Sequence, residues 1–347
     1  MVTHHIITNR NISQKGGKGY VKVNENEYIK IDGDEEANLN LRYGTVTFDP
    51  KKTKRLSDFK INIYADPDDE TLEKLKEDGK LTDKQALGST KVFGELYAEG
   101  LKAKEREDIL VFVHGYRSDL ETSLWTLGEL HKKYVEPEDS PICHLVLFTW
   151  PARRKVLRYR SDAYDAVQSG YAMARSYASL KDFFRQKLVK EKQIMCEQKI
   201  HLLCHSMGNR VLEAMLKGLA DIQVEINSLF GEIILVGADV DYDALERPKP
   251  LYRLIDFGER IHVYYHNKDQ ALGFSEMTKN AFNRLGRWGA KNSIGIPDDV
   301  YQADVSDIAD NPTVVQNVVN HWYYYNSPAV VRDIKEVLNG QVSVFTF

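Results

Sequence analysis

The sequence predicts an α/β protein: a mostly parallel sheet flanked by helices, with a β-rich N-terminal extension. Two patterns carry that expectation. From residue 108 onward, short apolar runs alternate with helical periodicity, whereas residues 1–107 hold β-rich stretches separated by charged or glycine-containing links. A third observation bounds the class. At 347 residues, 42% hydrophobic and 28% charged, the chain can bury one large core, and disordered or collagen-like classes are excluded. Residues 1–107 are expected to add antiparallel strands to an α/β core over 108–347, as one structural domain.

In the N-terminal segment the strand candidates are Tyr20–Ile31, Leu41–Phe48 and Phe59–Tyr64. In the core they are Ile109–Val113, Cys143–Phe148, Ile200–Cys204, Ile233–Val236 and Ile261–Tyr265, short and predominantly apolar runs suited to strands covered on both faces. Ser118-Asp119-Leu120-Glu121 reads as a capping box opening a helix with apolar Leu120, Leu124, Leu127, Leu130 and Tyr134. Ser327-Pro328 opens the last helix, whose Val330, Val331, Ile334, Val337 and Leu338 share one face before Gly340.

Net charge is -4, which argues against a nucleic-acid partner by whole-chain electrostatics. The longest hydrophobic run, Ile109–Val113, is far short of the roughly 18 to 20 residues that cross a bilayer, so no transmembrane segment is expected. Residues 1–10 carry no secretory pattern, and the expected location is cytoplasmic. The three cysteines, Cys143, Cys196 and Cys204, include no C-x-x-C pair, so neither a disulfide framework nor a zinc knuckle is expected. Cys196, His201 and Cys204 fail as a metal set, because strand alternation sends His201 and Cys204 to opposite faces.

Chemistry concentrates in Lys199–Arg210, where the apolar strand Ile200–Cys204 meets His205-Ser206-Met207-Gly208 and then a helix. A serine hydroxyl is a weak nucleophile. It needs a sharp turn that lifts it above the sheet, a neighbouring base and a helix N-terminus. Ser206 has that setting, with Cys204 where the G-x-S-x-G pattern carries its first glycine. Ile109–Val113 ends in His114-Gly115-Tyr116, a turn whose Tyr116 amide can join the Met207 amide in an oxyanion hole.

In folds built on such an elbow, the acid and then the base follow the nucleophile along the chain. Of the ten histidines only His262, His266 and His321 follow Ser206. His262 is inside a predicted strand and His266 at its end, whereas His321 sits in a loop before the last helix and is the expected base. The expected acid is Asp269, on the loop after Ile261–Tyr265, with Asp239 after the preceding strand as the alternative.

These segments together resemble the α/β-hydrolase superfamily, in particular a bacterial branch of unknown function. The resemblance rests on Thr8-Asn9-Arg10, Phe112-Val113-His114-Gly115-Tyr116, Thr149-Trp150-Pro151, Tyr164-Asp165, His205-Ser206-Met207-Gly208-Asn209-Arg210, Ala238-Asp239-Val240-Asp241, Asn267-Lys268-Asp269, Arg284-Leu285-Gly286 and His321-Trp322-Tyr323-Tyr324, which span most of the chain. It implies a nucleophile at Ser206, an acid at Asp269, a base at His321 and oxyanion amides at Tyr116 and Met207.

The expected activity is hydrolysis of an ester or thioester through an acyl-enzyme, without metal or cofactor. A scaffold that keeps the fold without turnover, and an acyltransferase or peptidase using the same residues, are the alternatives. The expected partner is a small or lipid-like acyl compound. His114, Trp150, Arg153, Arg154 and Arg158 are candidate substrate contacts, and the basic loop 153–160, otherwise a solvated surface loop, would suit an anionic group.

Overall fold

The five apolar runs of the core become the centre of a ten-stranded sheet. The computed structural model describes residues 1–10, 20–23, 41–64, 74, 87–102, 107–152, 159–187, 198–226, 228–277, 282–292, 295–308, 310 and 319–346. Its strands are β1 (Val2–Thr8), β2 (Tyr20–Val23), β3 (Arg42–Phe48), β4 (Phe59–Tyr64), β5 (Asp108–Val113), β6 (Ile142–Thr149), β7 (Ile200–His205), β8 (Phe230–Val236), β9 (Gly258–Tyr265) and β10 (Val300–Asp304). They lie in the order β10-β9-β8-β7-β5-β6-β1-β3-β4-β2. Every pair from β10 to β1 is parallel, and β1–β3, β3–β4 and β4–β2 are antiparallel. All seven residues of β8 are buried, the signature of a central parallel strand.

Helices cover both faces. On one side α1 (Gly88–Lys102), α3 (Tyr159–Arg185) and α4 (Gly208–Asp221) share a core with Phe148, Leu202, Cys204 and Leu235. On the other, α2 (Leu120–Tyr134), the short α7 (Tyr323–Asn326) and α8 (Pro328–Leu338) pack on Phe112, Leu203, Ile234 and Tyr264. Helices α3 and α4 touch closely at Gly170, where a β-carbon would stand 2.4 Å from that of Ala214. The short helices α5 (Gln270–Ser275) and α6 (Leu285–Trp288) follow β9.

Three features differ from the sequence reading. The N-terminal segment supplies the expected antiparallel strands and adds β1, which runs parallel to β6 and joins the extension to the core. Its His4 and His5 are buried against His131 and Glu95, which is why a strand forms there from such polar residues. The cap of α2 is Asp119, not Ser118: the Asp119 carboxylate accepts from the Thr122 amide at 2.9 Å. The basic stretch 153–160 is not all loop, since α3 begins at Tyr159. Helix α5 starts where Asp269 caps it by accepting from the Leu272 amide at 2.9 Å. Residues 24–31 of the first expected strand lie outside the described residues. No described helix is long and apolar enough to cross a membrane.

Candidate active site

Strand β7 ends at His205, and α4 starts at Gly208, leaving Ser206 and Met207 to make the turn. Ser206 adopts φ +53°, a left-handed conformation that costs a residue with a β-carbon roughly 1 kcal/mol or more and persists only when surroundings hold it. They do so through its peptide groups. The Ser206 amide donates to Val236 at 2.9 Å, and its carbonyl accepts from the amides of Asn209 and Asp239, both at 3.1 Å, and from the Asn209 side chain at 3.0 Å. That carboxamide also donates to the Cys204 carbonyl, and Cys204 itself is fully buried where the usual pattern has glycine. Gly208 lets the helix start close to β5, because a β-carbon there would meet the Val113 carbonyl oxygen at 2.6 Å.

The turn after β5 lies against the elbow. A β-carbon on Gly115 would meet the His205 carbonyl oxygen at 2.9 Å, so Tyr116 follows directly from a residue touching β7. This turn is braced from β1. Arg10 is fully buried, and its guanidinium donates to Thr149 Oγ1 at 2.8 Å, to the Ser118 carbonyl at 2.8 Å and to the Ala152 carbonyl at 3.5 Å. Burial pulls its pKa down to about 9, opposed by Asp119 and Asp162. His114 and Trp150 complete the brace. Their rings stack at 5.2 Å, Trp150 Nε1 donates to the His114 carbonyl, and His114 Nε2 accepts from the Trp150 amide. Burial, then Arg10, pushes the His114 pKa down to about 3, so it stays neutral. Both side chains, candidates for substrate contact from sequence, are buried in this brace. Arg153, Arg154 and Arg158 lie outside the described residues, as does Cys196.

Asp269 and His321 meet although 52 positions apart: His321 Nδ1 donates to Asp269 Oδ2 at 2.6 Å. The second carboxylate oxygen of Asp269 caps α5, which fixes the first one toward His321. Because the carboxylate only accepts, the proton sits on Nδ1 and leaves Nε2 as an acceptor. Gly237 lies beside this pair with φ +50°, and a β-carbon there would stand 3.4 Å from His321 Nδ1. It follows Val236, the acceptor of the Ser206 amide, so the end of β8 lies against both Ser206 and His321.

Asp239 has other partners. It accepts from Tyr159 at 2.6 Å and from Ser275 at 2.9 Å, and it pairs with Arg210 at 3.7 Å and Arg284 at 3.8 Å. Burial and Asp239 push the Tyr159 phenol up to about 12. His201, considered with the cysteines as a ligand, donates to Asp108 at 3.1 Å and accepts from the Glu232 amide. Among the described residues no group of three or more His, Cys, Asp or Glu side chains could hold a metal ion.

Sequence reasoning missed Arg10, His205, Tyr159 and Gly237. Arg10 and His205 lay inside segments that carried the resemblance, but their partners are distant in sequence, so nothing local marked their roles.

The model of a family described as an alpha/beta hydrolase of unknown function matches residues 90–340. An uncharacterized protein of Nostoc sp. strain PCC 7120 is 24% identical, over 69% of this chain and 76% of its own length.

Proposed function

We propose that this chain, which belongs to the family of alpha/beta hydrolases of unknown function, is a serine hydrolase that cleaves esters or thioesters through an acyl-enzyme. The observation that carries this reading is the His321–Asp269 hydrogen bond of 2.6 Å beside a serine in the strained elbow conformation. Ser206 attacks the acyl carbonyl while His321 Nε2 takes its proton, and Asp269 holds the imidazole in the required tautomer and stabilises the imidazolium. The Tyr116 and Met207 amides receive the oxyanion. His321 then returns the proton to the leaving alcohol or thiol, and water repeats the cycle to release the acid. The substrate is a small or lipid-like acyl compound. A transferase or peptidase would differ in which nucleophile or leaving group is used, not in these residues.

The test is labelling of the full chain with a fluorophosphonate, followed by p-nitrophenyl esters of graded acyl length. Ser206 should label, and Ser206→Ala should lose both the label and, on the order of 10⁶-fold, kcat, with the fold intact. A folded Ser206→Ala variant with normal turnover would refute the mechanism.

A further inference from the structure

We propose that His205, the residue before the nucleophile, is a positioning residue that tethers the loop of the base and thereby sets His321 against Asp269. This rests on the serine-hydrolase reading given above. His205 is buried, and its Nε2 donates to the His321 backbone carbonyl at 3.0 Å. Its ring also lies 4.6 Å from the His321 ring and 4.7 Å from that of Tyr324. On its other side a β-carbon at Gly115 would come within 3.1 Å of His205 Nδ1. One imidazole therefore touches the strand of the nucleophile, the turn of the oxyanion amides and the loop of the base.

The loop needs such a tether. His321 follows Asn320, which has φ +49°, and reaches Asp269 from a segment between β10 and α7. The Asp269 bond fixes one ring atom but leaves the backbone free to tilt. A donor on the carbonyl of the same residue removes that freedom. Tyr324, on which the His205 ring rests, is itself anchored, because its carbonyl accepts from the buried Tyr134 hydroxyl of α2.

The tether also has to be uncharged. His321 becomes an imidazolium during turnover, and a second cation 4.6 Å away would oppose it. The titratable groups around His205 are His321 with Asp269 on the base side, His114 from the turn after β5 and Tyr324 from α7. Burial first, then His321 and His114, keep the His205 pKa well below its ordinary value, so it donates as a neutral ring. Glutamine can place an amide nitrogen where Nε2 stands, whereas phenylalanine keeps the ring without the donor.

The experiment compares the full-length wild type with His205→Phe and His205→Gln by two readouts. One is the fluorophosphonate labelling rate of Ser206 across pH. The other is the low-field proton resonance of His321 Nδ1–H, assigned by its loss in His321→Gln. In His205→Phe the labelling rate should fall about 10- to 100-fold, the scale expected for a misplaced catalytic group. The proton of His321 Nδ1–H should broaden by exchange as its bond to Asp269 loosens. His205→Gln should restore the rate to within about threefold of wild type, together with the resonance. Should His205→Phe fail to fold, His205→Gln and His205→Asn carry the same contrast, since only the longer amide reaches the carbonyl. A His205→Phe variant with wild-type rate and resonance would overturn the tether, as would equal losses in the Phe and Gln variants. An unlabelled wild-type serine would instead overturn the hydrolase reading, while the resonance would still decide the tether.

Discussion

Gly115 stands against Ser206 with no room for a side chain: a β-carbon on Gly115 would lie 2.6 Å from the Ser206 β-carbon. The turn after β5 and the elbow are thus in direct contact, and the separation between the Tyr116 amide and Ser206 depends on the absence of one methyl group.

Gly115→Ala should therefore damage catalysis more than stability. Relief of the clash requires a shift of the turn or the elbow, and overpacking of this kind costs roughly 1 to 3 kcal/mol. The same shift misplaces the oxyanion donors, with an expected fall of about 10²-fold in kcat. Urea unfolding and ester kinetics on one preparation measure the two effects. A variant with unchanged kcat would remove the turn from the mechanism.

The two candidate acids should separate cleanly by mutation. Asp269→Asn can no longer hold the Nδ1–H tautomer, so kcat should drop by roughly 10⁴-fold with little loss of fold. Asp239→Asn should leave kcat within about tenfold and lower the unfolding midpoint, because Asp239 binds Tyr159, Ser275 and two arginines, not the base. A dead Asp239→Asn beside an active Asp269→Asn would exchange their roles.

The buried histidines set the acid side of the stability profile. His114 has its pKa pushed down from 6.5 to about 3, so between those values the unfolded chain binds a proton that the folded chain does not. Stability is then fully present above pH 6.5 and falls as pH drops toward 3, by about 1.4 kcal/mol per pH unit once well inside the window. His4 and His205 are displaced in the same direction by burial and steepen the fall. Urea midpoints between pH 7.5 and 5 should show the slope. His114→Gln should reduce it, and an unchanged slope would show that His114 is not buried as a neutral ring.

Strands β5 to β9 were legible because each is centred on a predominantly apolar run, and the elbow because strand, serine and amphipathic helix follow one another without interruption. Strand β1 was not legible. Its His4 and His5 look polar until His131 and Glu95, 127 and 90 positions away, supply their partners. The same holds within the site. His321 and Asp269 could be named from chain order, but Arg10 works through carbonyls of Ser118 and Ala152, and no pattern in the sequence announces an arginine held by backbone oxygens. The start of α3 at Tyr159 was hidden by the basic residues before it, which read as a solvated loop.

Arg10 braces the turn after β5 across 108 positions, and His321 reaches Asp269 across 52. During vectorial synthesis Arg10, the elbow and Asp269 all emerge before His321 does. On the proposed mechanism a nascent chain therefore carries Ser206 without its base until the segment after β10 is translated. A product interrupted before His321 would then be chemically silent toward esters.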